Sequence, residues 1–185
     1  MAETATTGLT WSDLQQFPDD GVKRELIGGR LFVTPSPVDR HQWTAVLVSA
    51  ALLDAARVAG GRVFHALDVV LGERDVVQPD VCAFRPEHLD RIRDGYPRAA
   101  PDLVVEISSP ATRRTDLGRK KDLYERHGVA EYWFVDLDAD RIECYRLDAG
   151  RYGPPRLLTR DDRLGSAQLP ALDVAVDTVL PAPED

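Results

Sequence analysis

The chain is poor in cysteine, with Cys82 and Cys144 alone in 185 residues. Each lies in an apolar, strand-like run, so no disulfide framework is expected; both read as buried thiols of a reducing, cytoplasmic compartment. The four histidines are scattered without a close pair, which argues against a structural zinc site. No apolar run approaches the roughly 18 residues that a spanning helix needs, so no membrane association is expected. The start, MAETATTGLTW, lacks a basic region followed by an apolar stretch, and no secretory signal is expected. There is no Gly-rich phosphate loop, which leaves nucleotide-triphosphate chemistry unsupported. Ser108 and Ser109 have no Gly-x-Ser-x-Gly elbow around them, which disfavours serine hydrolysis. Nor is positive charge in excess: 23 basic against 31 acidic residues give −8. That balance disfavours a sequence-independent DNA coat, yet permits an enzyme that meets nucleic acid through a local basic patch and a bound cation.

What is present is an ordinary globular composition, 43% hydrophobic and 29% charged, in a length that fits one domain. Residues 1–9 are small and polar and read as a flexible tail, with the domain spanning 10–185. A short helix is expected from Thr10 to Phe17, stopped by Pro18 and Gly21. VKRELI and RLFVT flank Gly28–Gly29, which is a two-residue hairpin signal. Ser36–Pro37 is expected to open a long helix, with apolar residues at helical spacing from Trp43 to Ala56 and Gly60–Gly61 as its end. Strands are expected at 62–71 and 76–84, then a short charged helix near 86–94. The apolar strand DLVVEIS, a helix over 115–127, and the strands EYWFVD and RIECYRL follow. This order predicts an α/β (α+β) domain, a mixed β-sheet flanked by helices.

Charged residues inside apolar strands carry the chemical signal. Alternation in VVQPDVCAF puts Asp80 on one face with Gln78, Cys82 and Phe84; in LVVEIS, Glu106 shares a face with Val104 and Ser108. A carboxylate in an apolar strand is costly unless it is paired or binds a cation. Two on adjacent strands can converge on one hard divalent ion, Mg²⁺ or Mn²⁺. The competing reading gives each a structural ion pair. Asp116, Lys120 and Tyr124, spaced i, i+4, i+8, share a helix face near His127, so Lys120 can point back at Glu106. The window from Arg113 to Arg126 holds six basic and three acidic residues, a local +3 suited to a phosphodiester; a solvated helix face is the simpler account.

Pro79–Asp80, then Glu106, then a lysine resembles the PD-(D/E)XK nuclease superfamily. RELIGGRL (24–31), VVQPDV (76–81) and PDLVVEISSPATRRTDLGRKKDLYERHGVAEYWFVD (101–136) resemble, more closely, the Uma-two family of restriction-endonuclease-like proteins. That resemblance implies a restriction-endonuclease-like fold and a divalent-metal-dependent endonuclease, with DNA as the expected substrate and Mg (or Mn) as the cofactor. It implies Asp80 and Glu106 as metal ligands with the Ile107 carbonyl as a third, Lys120 as the catalytic lysine, and Glu25 as an accessory carboxylate. The superfamily lysine normally lies two residues after the glutamate, where Ser108 stands here. Lys120 in the following helix takes the role, with Lys121 as the competing choice, expected to face solvent or the DNA backbone. His41 is positioned to approach the site or a phosphate. A homodimer is expected, since cutting both strands needs two sites. Two alternatives stay open: a non-catalytic nucleic-acid- or protein-binding module of the same fold, and RNA as substrate.

Overall fold

The computed structural model describes residues 2–3, 7–36, 38–109 and 112–182. Helix α1 (Trp11–Leu14) starts at a reciprocal cap: Asp13 N–H points to the Thr10 hydroxyl while the Asp13 carboxylate accepts the Thr10 N–H. Strands β1 (Lys23–Ile27) and β2 (Arg30–Thr34) form the expected hairpin. Gly28 and Gly29 both adopt positive φ, 59° and 72°, which a two-residue turn of this hand requires. Helix α2 (Asp39–Ala59) follows. Its N-cap is Val38 rather than Ser36, and no side chain caps it; Pro37 lies outside the described residues. The far end matches expectation, with Gly60 left-handed at φ 78°.

The two expected strands at 62–71 and 76–84 are each broken in two. They give β3 (Arg62–His65), β4 (Val69–Gly72), β5 (Asp75–Val77) and β6 (Val81–Phe84). Together these form one long hairpin that leaves one sheet and enters another: β4 pairs with β5, and β3 pairs with β6. The crossing falls at residues 66–68 on one arm and 78–80 on the other. Pro79 has no N–H to continue the ladder, and Ala66 takes a positive φ of 48°.

The main sheet is completed by β7 (Leu103–Ile107), β8 (Glu131–Asp136), β9 (Arg141–Asp148), β10 (Arg151–Tyr152) and β11 (Arg156–Leu158), with a helical stretch α3 over 113–126 between β7 and β8. The charged helix expected near 86–94 is a 3₁₀ segment, Pro86–Arg91. The main sheet runs β10-β9-β8-β7-β6-β3, with β11 also on β9; β7 and β8 are parallel and joined by α3, the other pairs antiparallel. The smaller sheet runs β2-β1-β5-β4, with Ala2–Glu3 along β2.

Alternation along the main sheet sorts two cores. Val81, Ala83, Leu103, Val105, Ile107 and Trp133 pack with α2 residues Ala45, Val48, Leu52 and Ala56. Cys82, Phe84, Val104, Tyr132 and Phe134 pack with Leu123 and Tyr124 of α3. The domain is thus α+β, a mixed sheet with a helix on each face. Both cysteines are free and buried, and burial pushes each thiol up to about 12. Among the described residues no helix is long and apolar enough to cross a membrane.

Candidate active site

Glu106 alternates with Val105 and Ile107, so it faces α3 from within the main sheet. Glu25 sits in β1 of the smaller sheet, on the opposite face from Leu26, whose side chain joins that sheet's own core. Lys120 closes the gap between them: its Nζ lies 2.8 Å from Glu25 Oε1 and 2.9 Å from Glu106 Oε1. Asp116, one turn earlier, is 3.9 Å from the same Nζ. Tyr124 donates its hydroxyl to Glu106 Oε1 at 2.5 Å, and Gln78 N–H donates to Glu25 Oε1 at 2.8 Å. The three residues read as one helix face from their spacing do share it.

A π-turn over Asp116–Lys120 sharpens that alignment. The Lys121 N–H reaches back five residues to the Asp116 carbonyl. In an α-helix each i, i+4 step overshoots a full turn by about 40°. The wider turn offsets that drift, so Asp116, Lys120 and Tyr124 stay aimed at one point.

Asp80 sits at the crossing of the long hairpin, one residue before β6. The β6–β7 ladder ends at Val81↔Val105, and the Asp80 carboxylate takes over beyond it: Oδ2 accepts the Ile107 N–H at 2.8 Å. His41 Nε2, from α2, is 3.2 Å from the same oxygen, and Lys23 Nζ, from β1, is 3.3 Å from Oδ1. The bend takes Asp80 off the strand, so its alignment with Cys82 and Phe84 does not survive as a strand face.

Burial acts to raise the Asp80 carboxyl, but Lys23, His41 and Lys120 outweigh it and hold the group well below the usual carboxylate range. Burial dominates at Glu106 and raises it, only partly offset by Lys120 and Lys23. It pushes Asp116 up to about 8. Burial opposes the charge on Lys120 too, yet Glu106, Glu25 and Asp116 together raise its pKa well above the ordinary lysine value.

Asp80, Glu106, Ile107, Lys120, Lys23 and His41 all line one cleft of about 970 Å³. Glu25 lies behind it, sharing Lys120. All five sequence-predicted site residues therefore converge. Hard oxygen donors from two carboxylates and a carbonyl fit the chemistry of Mg²⁺ or Mn²⁺. Glu25 Oε2 is buried with no hydrogen-bond partner among the described residues, an unspent acceptor beside them. Among those residues, no group of three or more His, Cys, Asp or Glu side chains is arranged around one point as a metal cage.

Three expectations change. Lys121 does not face open solvent: it is half-buried, with its ammonium 4.9 Å from the centre of the Tyr145 ring. The basic window is less free than its count, because Arg113 pairs with the fully buried Asp136 and lies over Phe134, and Arg119 lies over Phe32. His127 is not part of the cluster; its Nε2 faces Asp75 at 3.3 Å. Ser108, at the superfamily's lysine position, is buried and accepts the Leu137 N–H at 2.9 Å, so that position belongs to the sheet's hydrogen bonding. Lys23 was not singled out from sequence. The available signal was its i, i+2 relation to Glu25, which puts both on one strand face.

A mixed sheet with a helix on each face and carboxylates at the ends of neighbouring strands defines a nuclease-like α+β fold. The fold is shared with the crystal structure of a protein from Anabaena variabilis described as a "putative nuclease belonging to DUF820", at a TM-score of 0.78 and 19% identity, covering 93% of this chain and 97% of that one. No curated protein sequence matches the chain. The chain belongs to the Uma2 family, described as "putative restriction endonuclease", which it matches over residues 11–177.

Proposed function

We propose that the protein is a divalent-metal-dependent nuclease that hydrolyses phosphodiester bonds, with DNA as its substrate. One observation carries the reading: Asp80 and Glu106 line a single cleft beside a buried lysine, in a chain of the Uma2 family. A cation held by Asp80, Glu106 and the Ile107 carbonyl would supply Lewis-acid activation of the phosphate and of the attacking water.

The chain's own residues supply positioning and charge. The Ile107 N–H and His41 fix the Asp80 carboxylate. Tyr124 and Lys120 fix Glu106, and Glu25 anchors Lys120 from the other sheet. Lys120 keeps its proton, so it acts as an electrostatic donor near the scissile phosphate and not as a base. A homodimer would bring two such clefts to the two strands of a duplex.

A specific observation favours the second reading, a non-catalytic binding module. Lys120 and Lys23 already compensate Glu106, Glu25 and Asp80 without a cation. Cleavage of supercoiled DNA, linear DNA and RNA, each with Mg²⁺, Mn²⁺ or chelator, separates the two readings. Cation-dependent cutting of DNA that is lost in Asp80→Asn and Glu106→Gln supports the nuclease. Cutting that survives in both variants refutes the site. Binding of DNA without cutting under every cation moves the module reading ahead.

A further inference from the structure

From the start of α2 the cleft takes Val38, His41 and Gln42, none of which lies on the outer stripe of the helix. The outer face carries Trp43, Val46, Ala50, Leu53 and Arg57, at spacings of three, four, three and four residues. At about 100° per residue these fall within an arc of about 80°, and Asp39 falls in the same arc. All six are exposed: Trp43 by 55%, Val46 by 51% and Leu53 by 36%. An a/d stripe of this kind is how helices pack against helices, and a tryptophan and a valine half in water are costly to leave bare.

We infer that this stripe is an interface with a second copy of the chain, the two α2 helices packing antiparallel about a two-fold axis near residue 48. The charges select the partner and the direction. Asp39 begins the stripe and Arg57 ends it, and neither side chain has a hydrogen-bond or ion-pair partner among the described residues. With the axis near residue 48, Trp43 meets Leu53 of the other copy, Val46 meets Ala50, and Asp39 meets Arg57. Every stripe residue is then opposed by a complementary one, twice over by symmetry. The small Ala50 opposite Val46 lets the helix axes approach closely at the centre. A parallel arrangement would set Asp39 against Asp39 and Arg57 against Arg57, and would align the helix dipoles unfavourably. The helix is only about 30 Å long at about 1.5 Å per residue. One stripe of that length falls short of the about 800 Å² per partner of a standard interface. Association in the micromolar range is therefore expected.

Sedimentation equilibrium of the full chain over a micromolar concentration series tests this. A monomer–dimer equilibrium is expected, and Trp43→Asp or Val46→Glu, both at exposed positions, should abolish the dimer while leaving the thermal transition in place. Asp39→Arg and Arg57→Asp should each weaken dimerisation by up to about fivefold per pair, and the double charge swap should restore it. Under mild oxidation, mixed Val46→Cys and Ala50→Cys chains should cross-link to each other while neither cross-links alone. A monomer throughout, or a dimer indifferent to Trp43→Asp, overturns the interface. Cross-linking of the Val46→Cys chain to itself overturns the antiparallel register. None of these readouts depends on nuclease activity.

Discussion

Lys120→Met is the substitution with the largest expected effect on stability. The ammonium it removes is 1% exposed and is the shared counter-charge of Glu25 and Glu106, which are equally buried. Methionine fills similar volume, so the change is one of charge. Breaking a buried ion pair by removing one partner costs about 3–5 kcal/mol, because the other charge is left uncompensated. Two carboxylates lose their cation here, which argues for the upper end. For a domain of this length each kcal/mol moves the melting temperature by about 2–4 °C, so a drop of about 6–20 °C is expected near neutral pH. The deficit should depend on pH. Without Lys120 the folded-state pKa of Glu106, already raised by burial, rises further. A raised folded pKa gives stability that is present at low pH and lost as pH rises through the folded value. The gap between variant and wild type should therefore narrow as pH falls towards 5. Circular-dichroism melts of both proteins from pH 5 to 8 measure this. A variant that melts within about 3 °C of wild type near neutral pH, or a deficit that does not change with pH, refutes the reasoning.

Other expectations follow from the same geometry. Removing a preorganised donor near a transition state costs about 10²–10³ in rate; Lys120→Ala should lose cleavage on that order while still binding Mn²⁺ by calorimetry, and Lys121→Ala, whose side chain rests on Tyr145, should lose far less. Asp116 is raised by burial to about 8 from a usual 3.8, so its contribution is complete below pH 3.8 and lost as pH rises through 8; Asp116→Asn should flatten the fall in unfolding free energy between those limits, a fall of up to about 1.4 kcal/mol per pH unit. Arg114→Glu should weaken DNA binding and reduce its salt slope by about one, whereas Arg113→Ala should lower the melting temperature by freeing Asp136; equal effects of the two on binding would show that Arg113 reaches the phosphates after all.

Much of the fold could be read locally. Gly28–Gly29 marked a hairpin because only positive φ closes a two-residue turn there, and the 3.6-residue period marked α2 and α3. The course of residues 62–84 could not. Each apolar run looks continuous, but alternation says which face a residue takes and not which sheet its strand joins. The break shows in sequence only as Pro79, one missing donor. The site divides in the same way. Glu106, Asp116, Lys120 and Tyr124 followed from one strand period and one helix period joined by a short connection. Lys23 and Glu25 reach the same point through the docking of one sheet on another, which no local spacing encodes. The positive window at 113–126 misled as a count, because Arg113 and Lys121 are spent on a buried acid and an aromatic ring.

The crossing hairpin makes the cleft a seam. Glu25 and Lys23 belong to the smaller sheet, Glu106 to the larger, and Asp80 to the bend where one arm passes between them. Any rocking of one sheet on the other must stretch the contacts of Lys120, and any ligand that holds those contacts at fixed length clamps the two layers together. Amide hydrogen exchange in β1, β2 and β5 should therefore slow when the cleft is occupied, including at amides that no ligand touches. The smaller sheet would serve as a built-in reporter of occupancy, readable without knowing what the ligand is.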